Sequence, residues 1–471
     1  MKYSNLITRS FLLAMVAFAT AACTEDTLEY GFTDIPNVGD GEGQLLYVTD
    51  ADGNASNTSL DMRDTQDVLL HVNATAPAAV DQTVNFVYDP AVLAAYNRAN
   101  STAIEAIPES FITMENGGAA TLAAGESKSA PLKLTITSDG SLDPEKGYAV
   151  PLTIQGAGVA SSSKSRIIFI RDLSAMPDCN KMVDDGNGNM VPGVKIFSCM
   201  EVNDTNPLNN LRYTLKNSGK YMVDAVILFS GNINYDMEKG KVWFNANENV
   251  QAILDNRQKY LQPLKDRGMK IIMGVLCNHD RACIANLAPE TARAFAQELK
   301  ALCDAYHLDG IFWDDEYCSP ITPPPPGFVR PSSEAWCRLA YEVWKLQPER
   351  WNVAYAYSTT RYGSTEIDGV QGGTYIAYAL HDYGGSSDLS SNYPGMPKSN
   401  MGLYSQEFTG RSFASETNLR RMRDNGYGSH MVFAMDPYRS NVSTQDIAMG
   451  RCARAFYDDE AVCEGKWDKD W

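Results

Sequence analysis

The chain has 471 residues, of which 44% are hydrophobic and 10% aromatic, and a formal net charge of −18 at pH 7. That length exceeds one ordinary domain and predicts two or three, each able to bury a core. An excess of 58 acidic over 40 basic residues, with no basic patch to offset it, excludes a nucleic-acid binder and suits a neutral ligand such as sugar.

In chain order, Lys2 and Arg9 precede an apolar run, Phe11 to Ala19, that ends in Ala21-Ala22-Cys23. A basic start, an apolar stretch too short to span a bilayer and a small-residue cleavage site make residues 1–22 a targeting segment. With Cys23 directly after the small residues, the segment resembles a bacterial lipoprotein signal, which implies lipidation at Cys23. Thr20 departs from the Leu usual at its position. Thr24-Glu25-Asp26 resembles the acidic tag of Bacteroidetes-type lipoproteins, which implies an outer-membrane lipoprotein exposed at the cell surface. A plain secreted protein is the alternative. Residues 23–42, polar and Gly-rich, read as a flexible tether.

From 43 to 172 short alternating strands, among them Val68–Val72, Thr83–Tyr88, Leu132–Ile136 and Ile167–Ile170, are separated by Gly, Asn, Asp and Ser clusters. That pattern predicts an antiparallel β-sandwich domain with one helix over Pro90–Asn100. Tyr88-Asp89-Pro90, Ile107-Pro108-Glu109-Ser110 and Ala123-Ala124-Gly125-Glu126 resemble a Bacteroidetes domain of unknown function that sits ahead of surface glycoside hydrolases. Residues 173–192 have linker composition. Over 193–471 the rhythm becomes strand, loop, helix. Eight strands (194–202, 225–233, 270–277, 310–316, 351–357, 375–380, 401–406, 430–435) have the count and length of a (β/α)8 TIM barrel, so the fold class is α/β. The clearest helices are 250–266, 291–307, 333–346 and 416–425. Nine cysteines beyond Cys23, with no CxxC pair, and five histidines without metal spacing predict neither a disulfide framework nor a metal site, and buried free thiols for the most part.

Asp309-Gly310-Ile311-Phe312-Trp313-Asp314-Asp315-Glu316-Tyr317 carries the most chemistry. It follows the helical run 291–307, so it is a barrel strand whose carboxyl end holds acidic residues, the place where such barrels carry active sites. Alternation puts Phe312, Asp314 and Glu316 on one face, with Asp314 and Glu316 roughly 6 to 7 Å apart at about 3.3 Å of rise per residue. Two such neighbours do not both ionise cheaply, so one is held protonated, as a general acid requires.

Several runs in order resemble glycoside hydrolase family 18, and within it the endo-β-N-acetylglucosaminidases of the endoglycosidase H type. They are Gly231–Asp236, Phe244 to Gln251, Leu276–His279, Leu308-Asp309-Gly310 with Asp314–Tyr317, Tyr378-Ala379 with Asp382-Tyr383, and Asp424–Gly428. The resemblance implies retaining hydrolysis of the GlcNAc-β1,4-GlcNAc core of N-linked glycans, with the substrate's own 2-acetamido group as nucleophile. It implies Glu316 as acid and base, Asp314 as the partner of the acetamide N–H, and Tyr378 as the partner of the acetamide oxygen. Asn232, Asn278, Tyr317, Asp382 and Gln406 are expected to contact sugar, and Trp243, Tyr357, Tyr383 and Tyr438 are further stacking candidates. No cofactor is expected. The partners expected are N-linked glycans and glycoproteins and the membrane through its lipid anchor alone, with no nucleic acid, for a monomer working beside other surface proteins of glycan utilisation.

The chain departs from the family where an Asp is usual, and Phe312 stands there. By parity Phe312 points into the barrel below Asp314, removing a carboxylate that would share its proton. The expectation is an active enzyme with an altered pH–rate profile. A non-catalytic glycan-binding lipoprotein and a chitinase are the alternatives. The tetraproline run Pro323–Pro326 is expected to be a stiff loop bordering the sugar groove.

Overall fold

The computed structural model describes residues 44–156, 165–410 and 412–471. The signal segment, the tether and Cys23 lie outside the described residues. The chain divides between Ala175 and Met176 into two compact units. Among the described residues no helix is long and apolar enough to cross a membrane.

The first unit is a β-sandwich. One sheet runs Leu46–Asp50, Gln66–Ala74, Leu132–Ile136, Ile112–Met114, with every pair antiparallel. The other runs Thr58–Met62, Ser165–Asp172, Tyr148–Gln155, Gln82–Tyr88, Ala119–Leu122, and is antiparallel except where Thr58–Met62 lies parallel to Ser165–Asp172. A two-residue strand, Glu105–Ala106, also pairs in parallel with Tyr148–Gln155. Period-two alternation drives the layering: Leu70, Val72, Leu134 and Ile136 of one sheet bury against Phe86, Leu152, Ile168 and Ile170 of the other. The helix spans Pro90–Asn100, started by Asp89 Oδ1 accepting the Ala91 N–H at 3.0 Å and by Pro90 at its first turn.

The second unit is a barrel of eight parallel strands: β1 (Lys195–Glu201), β2 (Val223–Asp236), β3 (Lys270–Cys277), β4 (Gly310–Asp314), β5 (Trp351–Ala356), β6 (Tyr378–His381), β7 (Gly402–Glu407) and β8 (Ser429–Phe433). Each strand pairs in parallel with its successor through β6, β7 pairs with β8, and β1 pairs with β8. Between β6 and β7 closure is by two parallel bridges, Ala379 to Met401 and Tyr383 to Ser405. The helix Pro289–Tyr306 leads into β4, and its buried Phe295, Leu299 and Cys303 lie on one face at helical spacing. Ser333–Leu346 follows β4, opened by Ser332 Oγ accepting the Ala335 N–H.

Boundaries differ where local chemistry interrupts a pattern. The single helix expected over 250–266 is three short ones, Glu248–Asp255, Arg257–Tyr260 and Gln262–Lys265. Asn256 leaves helical geometry (φ −107°, ψ 34°), and Pro263 lacks the N–H that a continuous helix needs. Strand β6 begins at Tyr378, because Gly372–Tyr375 forms a helical turn. In 173–192, Met182–Asp184 and Met190–Pro192 make a hairpin, its turn held by the Asp184 and Asp185 carboxylates accepting backbone N–H groups. Cys283 and Cys318 are joined by a disulfide that residue spacing did not reveal, whereas Cys179, Cys199, Cys277, Cys303, Cys337, Cys452 and Cys463 are free thiols.

Candidate active site

Strand β4 sorts its side chains by parity. Ile311 and Trp313 face the helices, where Trp313 Nε1 donates to Asn352 Oδ1 at 3.1 Å and the indole packs on Trp336. Phe312 and Asp314 face the barrel interior. The ladder stops at Asp314 and the chain turns, with Asp314 Oδ1 accepting the backbone N–H of Glu316 at 3.0 Å. That bond keeps the Asp314 carboxylate over the mouth, at the foot of the residue that carries the second carboxylate. Asp315 points outward and accepts the Thr359 N–H at 2.8 Å, tying the end of β4 to the loop after β5. On the other flank, the Tyr317 carbonyl accepts the His279 N–H at 2.8 Å and Cys318 is bridged to Cys283. Three anchors therefore fix a turn of four residues.

Above β4 opens a cavity of about 690 Å³. Its floor is a closed ring of five aromatic side chains, Phe229, Phe312, Tyr355, Tyr383 and Phe433, from β2, β4, β5, the end of β6 and β8. Successive centroids lie 6.2, 6.3, 5.6, 5.8 and 5.6 Å apart around the circuit. Phe312, 1% exposed, is thus one fifth of an apolar floor under the carboxylates. Four carboxylates line the cavity, Asp314 and Glu316 on one side, Glu201 and Glu407 from β1 and β7, and no Lys, Arg or His does so among the described residues. Burial pushes Asp314 up to about 8, the Glu316 charge adds to this, and the Glu316 N–H opposes it. Glu316 is also raised, by burial first and then by Asp382 and Asp315. Burial and Asp204 push Glu201 up to about 7 against the pull of Arg439. Near neutral pH the cavity therefore keeps a proton on its acid pair.

The barrel has relatives across most of its length. Endo-beta-N-acetylglucosaminidase F1 of Elizabethkingia meningoseptica is 53% identical over 286 residues, which cover 60% of this chain and 84% of that protein. The chain belongs to the endo-β-N-acetylglucosaminidase family. An endo-beta-N-acetylglucosaminidase of Flavobacterium sp. (strain SK1022) is 30% identical over 262 residues, covering 53% of this chain and 80% of that one. Among solved structures, Bacteroides thetaiotamicron EndoBT-3987 with Man5GlcNAc product is similar at 30% identity and a TM-score of 0.56, over 88% of this chain and 96% of that one. The same protein in complex with Man9GlcNAc2Asn substrate is similar at 29% identity, with 88% and 95% covered. A family model described as "-like, N-terminal domain" matches residues 41–161.

In this endo-β-N-acetylglucosaminidase-family barrel, the residues singled out from sequence fall into three groups. Asp314, Glu316, Tyr317 and Asn232 line the cavity, Asn232 with its Nδ2 on the Leu276 carbonyl at 3.3 Å. Asp382 stands behind the wall, accepting the Tyr355 hydroxyl at 2.9 Å. Asn278 is exposed beside Asn234 at 3.3 Å, outside the cavity lining. Two expectations are corrected. Tyr378 faces inward but sits at the first residue of β6, its ring 5.0 Å from Phe197 and 4.7 Å from Trp351, the first residue of β5. It belongs to the amino end of the barrel, where burial raises its hydroxyl and the charge of Asp224, near the start of β2, adds to this. Tyr383 and Tyr355 hold the cavity positions instead. Gln406 faces outward, fully buried against His430, Cys452 and the Ala414 N–H. Its neighbour Glu407 faces in, because the register of β7 shifts between Gly402 and Ser405. Sequence reasoning missed Cys199 and Glu201 of β1, which line the cavity; alternation along β1 puts Phe197, Cys199 and Glu201 on one face, and that signal could have found them. Pro323–Pro326 lead into Gly327–Val329, which lie along 286–288 with the Val329 N–H on the Asn286 carbonyl, and none of the four prolines lines the cavity.

Proposed function

We propose that the chain hydrolyses the GlcNAc-β1,4-GlcNAc linkage in the core of N-linked glycans, by the retaining, substrate-assisted chemistry of glycoside hydrolase family 18. The acetamido oxygen of the reacting GlcNAc attacks its own anomeric carbon as the glycosidic C–O bond breaks, and Glu316 gives its proton to the leaving oxygen. Asp314 accepts the acetamide N–H and faces the positive charge of the oxazolinium ring. Glu316, now a carboxylate, takes a proton from the water that opens that ring, leaving the anomeric configuration unchanged.

The observation that carries this reading is the Asp314–Glu316 pair, both raised, held by backbone bonds over an apolar floor in a cavity that no described Lys, Arg or His lines. A hollow lined by four described carboxylates favours a neutral sugar and a positively charged intermediate over an anion. Support for the substrate comes from the relatives' names and from the solved complexes with Man9GlcNAc2Asn and Man5GlcNAc. Tyr383 and Tyr355 take the acetamide-facing role, and Asn232 and Tyr317 meet sugar at the wall and rim. Lipidation at Cys23 and display of a monomer on the outer cell surface are part of the same proposal, supported by Lys2, Arg9 and Ala21-Ala22-Cys23.

Mass spectrometry of a glycoprotein incubated with the full chain tests the hydrolysis. The expected result is one GlcNAc left on each occupied Asn and a released glycan ending in one GlcNAc, first seen by NMR as the β-anomer. An unchanged glycoprotein that still binds the chain would make it a glycan-binding protein, and cleavage of chitin oligomers alone would make it a chitinase.

A further inference from the structure

We propose that Glu407 is a glycone-binding residue, whose free carboxylate oxygen accepts a hydroxyl of the neutral hexose joined to the reacting GlcNAc on the side away from Glu316. The inference rests on the hydrolase reading above and adds a sugar contact to it. Glu407 ends β7 and is 7% exposed. Its Oε1 is held by the Thr409 N–H at 2.9 Å and by the Thr409 hydroxyl, inside a turn closed by the Glu407 N–H on the Ser412 carbonyl at 2.9 Å. Its Oε2 is buried and takes no hydrogen bond from any described residue. A carboxylate oxygen withdrawn from water and left without a donor is unfavourable unless a ligand supplies one. Glu407, Thr409 and Ser412 all line the cavity, so this locked acceptor belongs to the wall of the sugar site.

Position decides which sugar it meets. The proton donor of a glycosidase stands beside the glycosidic oxygen, between the reacting sugar and the leaving group. Glu316 follows β4, while Glu407 ends β7, three strands round an eight-stranded barrel and so on the far wall of the cavity, with Glu201 of β1 two strands further round. A residue across the cavity from the donor meets the part of the substrate away from the leaving group. The volume of about 690 Å³ lies within the roughly 300–1,000 Å³ that hold multi-ring ligands, so a sugar beyond the reacting ring fits. With Glu201 also present and no cation among the described lining residues, hydroxyls of a neutral sugar are the donors this wall attracts, and anionic sugars are disfavoured.

Glu407→Gln tests the assignment, because an amide keeps the acceptor for Thr409 and turns the free oxygen into a donor. Binding is read by calorimetry in the Glu316→Gln background, with two probes: an oligomannose glycan ending in one GlcNAc, and a peptide carrying a single GlcNAc on Asn. Glu407→Gln is expected to weaken the glycan by about tenfold to a hundredfold, as for an unmet buried acceptor, and to leave the GlcNAc-peptide unchanged. With Glu316 intact, the same substitution should raise KM on a glycopeptide more than it lowers kcat. Should Glu407→Gln fold poorly, Thr409→Val frees the carboxylate without touching it, and a smaller loss confined to the glycan probe is expected. Equal losses for both probes, or no loss for the glycan, overturn the assignment. Neither result bears on whether the wild-type chain cleaves glycoprotein, which is measured separately.

Discussion

Asp224 and Asp314 are both buried carboxylates on barrel strands, and they differ in company. At the amino end, Asp224 receives Lys181 Nζ at 2.8 Å and the Ile196 N–H at 2.7 Å, and Lys181 spends its other protons on the Cys179 and Tyr221 carbonyls. At the carboxyl end, Asp314 has one backbone N–H and three acidic neighbours, and is pushed up to about 8. Burial raises both, but at Asp224 the Lys181 charge and the Ile196 N–H oppose it and tie strands together, whereas at Asp314 like charge adds to it and leaves a proton to exchange. The barrel thus separates its stability from its chemistry along one axis.

Breaking either end should separate the two. Glu316→Gln removes the proton donor and is expected to lower kcat by at least roughly 10²–10⁴-fold while glycan binding persists, read by product release beside calorimetry. Lys181→Ala leaves Asp224 buried without its cation and should destabilise the barrel by about 3–5 kcal/mol, read by denaturant unfolding. Below its lowered melting point that variant keeps the kcat of the parent chain. A loss of kcat there would mean that the two ends are coupled.

How much of this was legible in the sequence follows the same axis. The strand at 310–314, its inward and outward faces and the acidic cluster are local facts, set by alternation and by the helix that precedes them. Tyr378 was given its role by the family resemblance, which carries no level along the barrel, and its strand begins three residues later than the 375 expected. Gln406 was expected at the sugar because it ends a predicted strand, but an end position does not give a face, and the register of β7 shifts between Gly402 and Ser405. The five-membered aromatic floor draws residues from four strands and from the segment just after β6, and the Cys283–Cys318 bridge spans 35 residues. Both depend on how the barrel closes, which no local pattern carries.

Phe312 is where the floor and the chemistry meet, so Phe312→Asp sharpens the comparison. The catalytic cycle needs Asp314 ionised and Glu316 protonated, which predicts a bell-shaped pH–rate profile for the pair. Both groups are raised, so the bell lies above the ordinary carboxylate range. A carboxyl group at 312 would share a proton with Asp314 and stabilise its singly ionised state, moving the acid limb to lower pH by roughly one unit. The same change removes an aromatic ring from the floor and should lower the melting temperature. An unmoved acid limb in a folded variant would mean that Phe312 has no bearing on the pair.

The smallest expected effect is the most discriminating. Tyr378 is 7% exposed among Phe197 and Trp351, at the start of β6, while Tyr383 lines the cavity five residues later. If a tyrosine hydroxyl on this strand orients the acetamide, removing it from Tyr383 takes away a hydrogen bond made in the transition state and lowers kcat by about tenfold. Tyr378→Phe removes a hydroxyl that faces the floor's far side and should change kcat and KM by less than about twofold. A large loss at 378 with none at 383 would put the reacting sugar deeper than the aromatic ring allows, because a ring of five side chains with centroids 5.6–6.3 Å apart leaves no passage for a hexose.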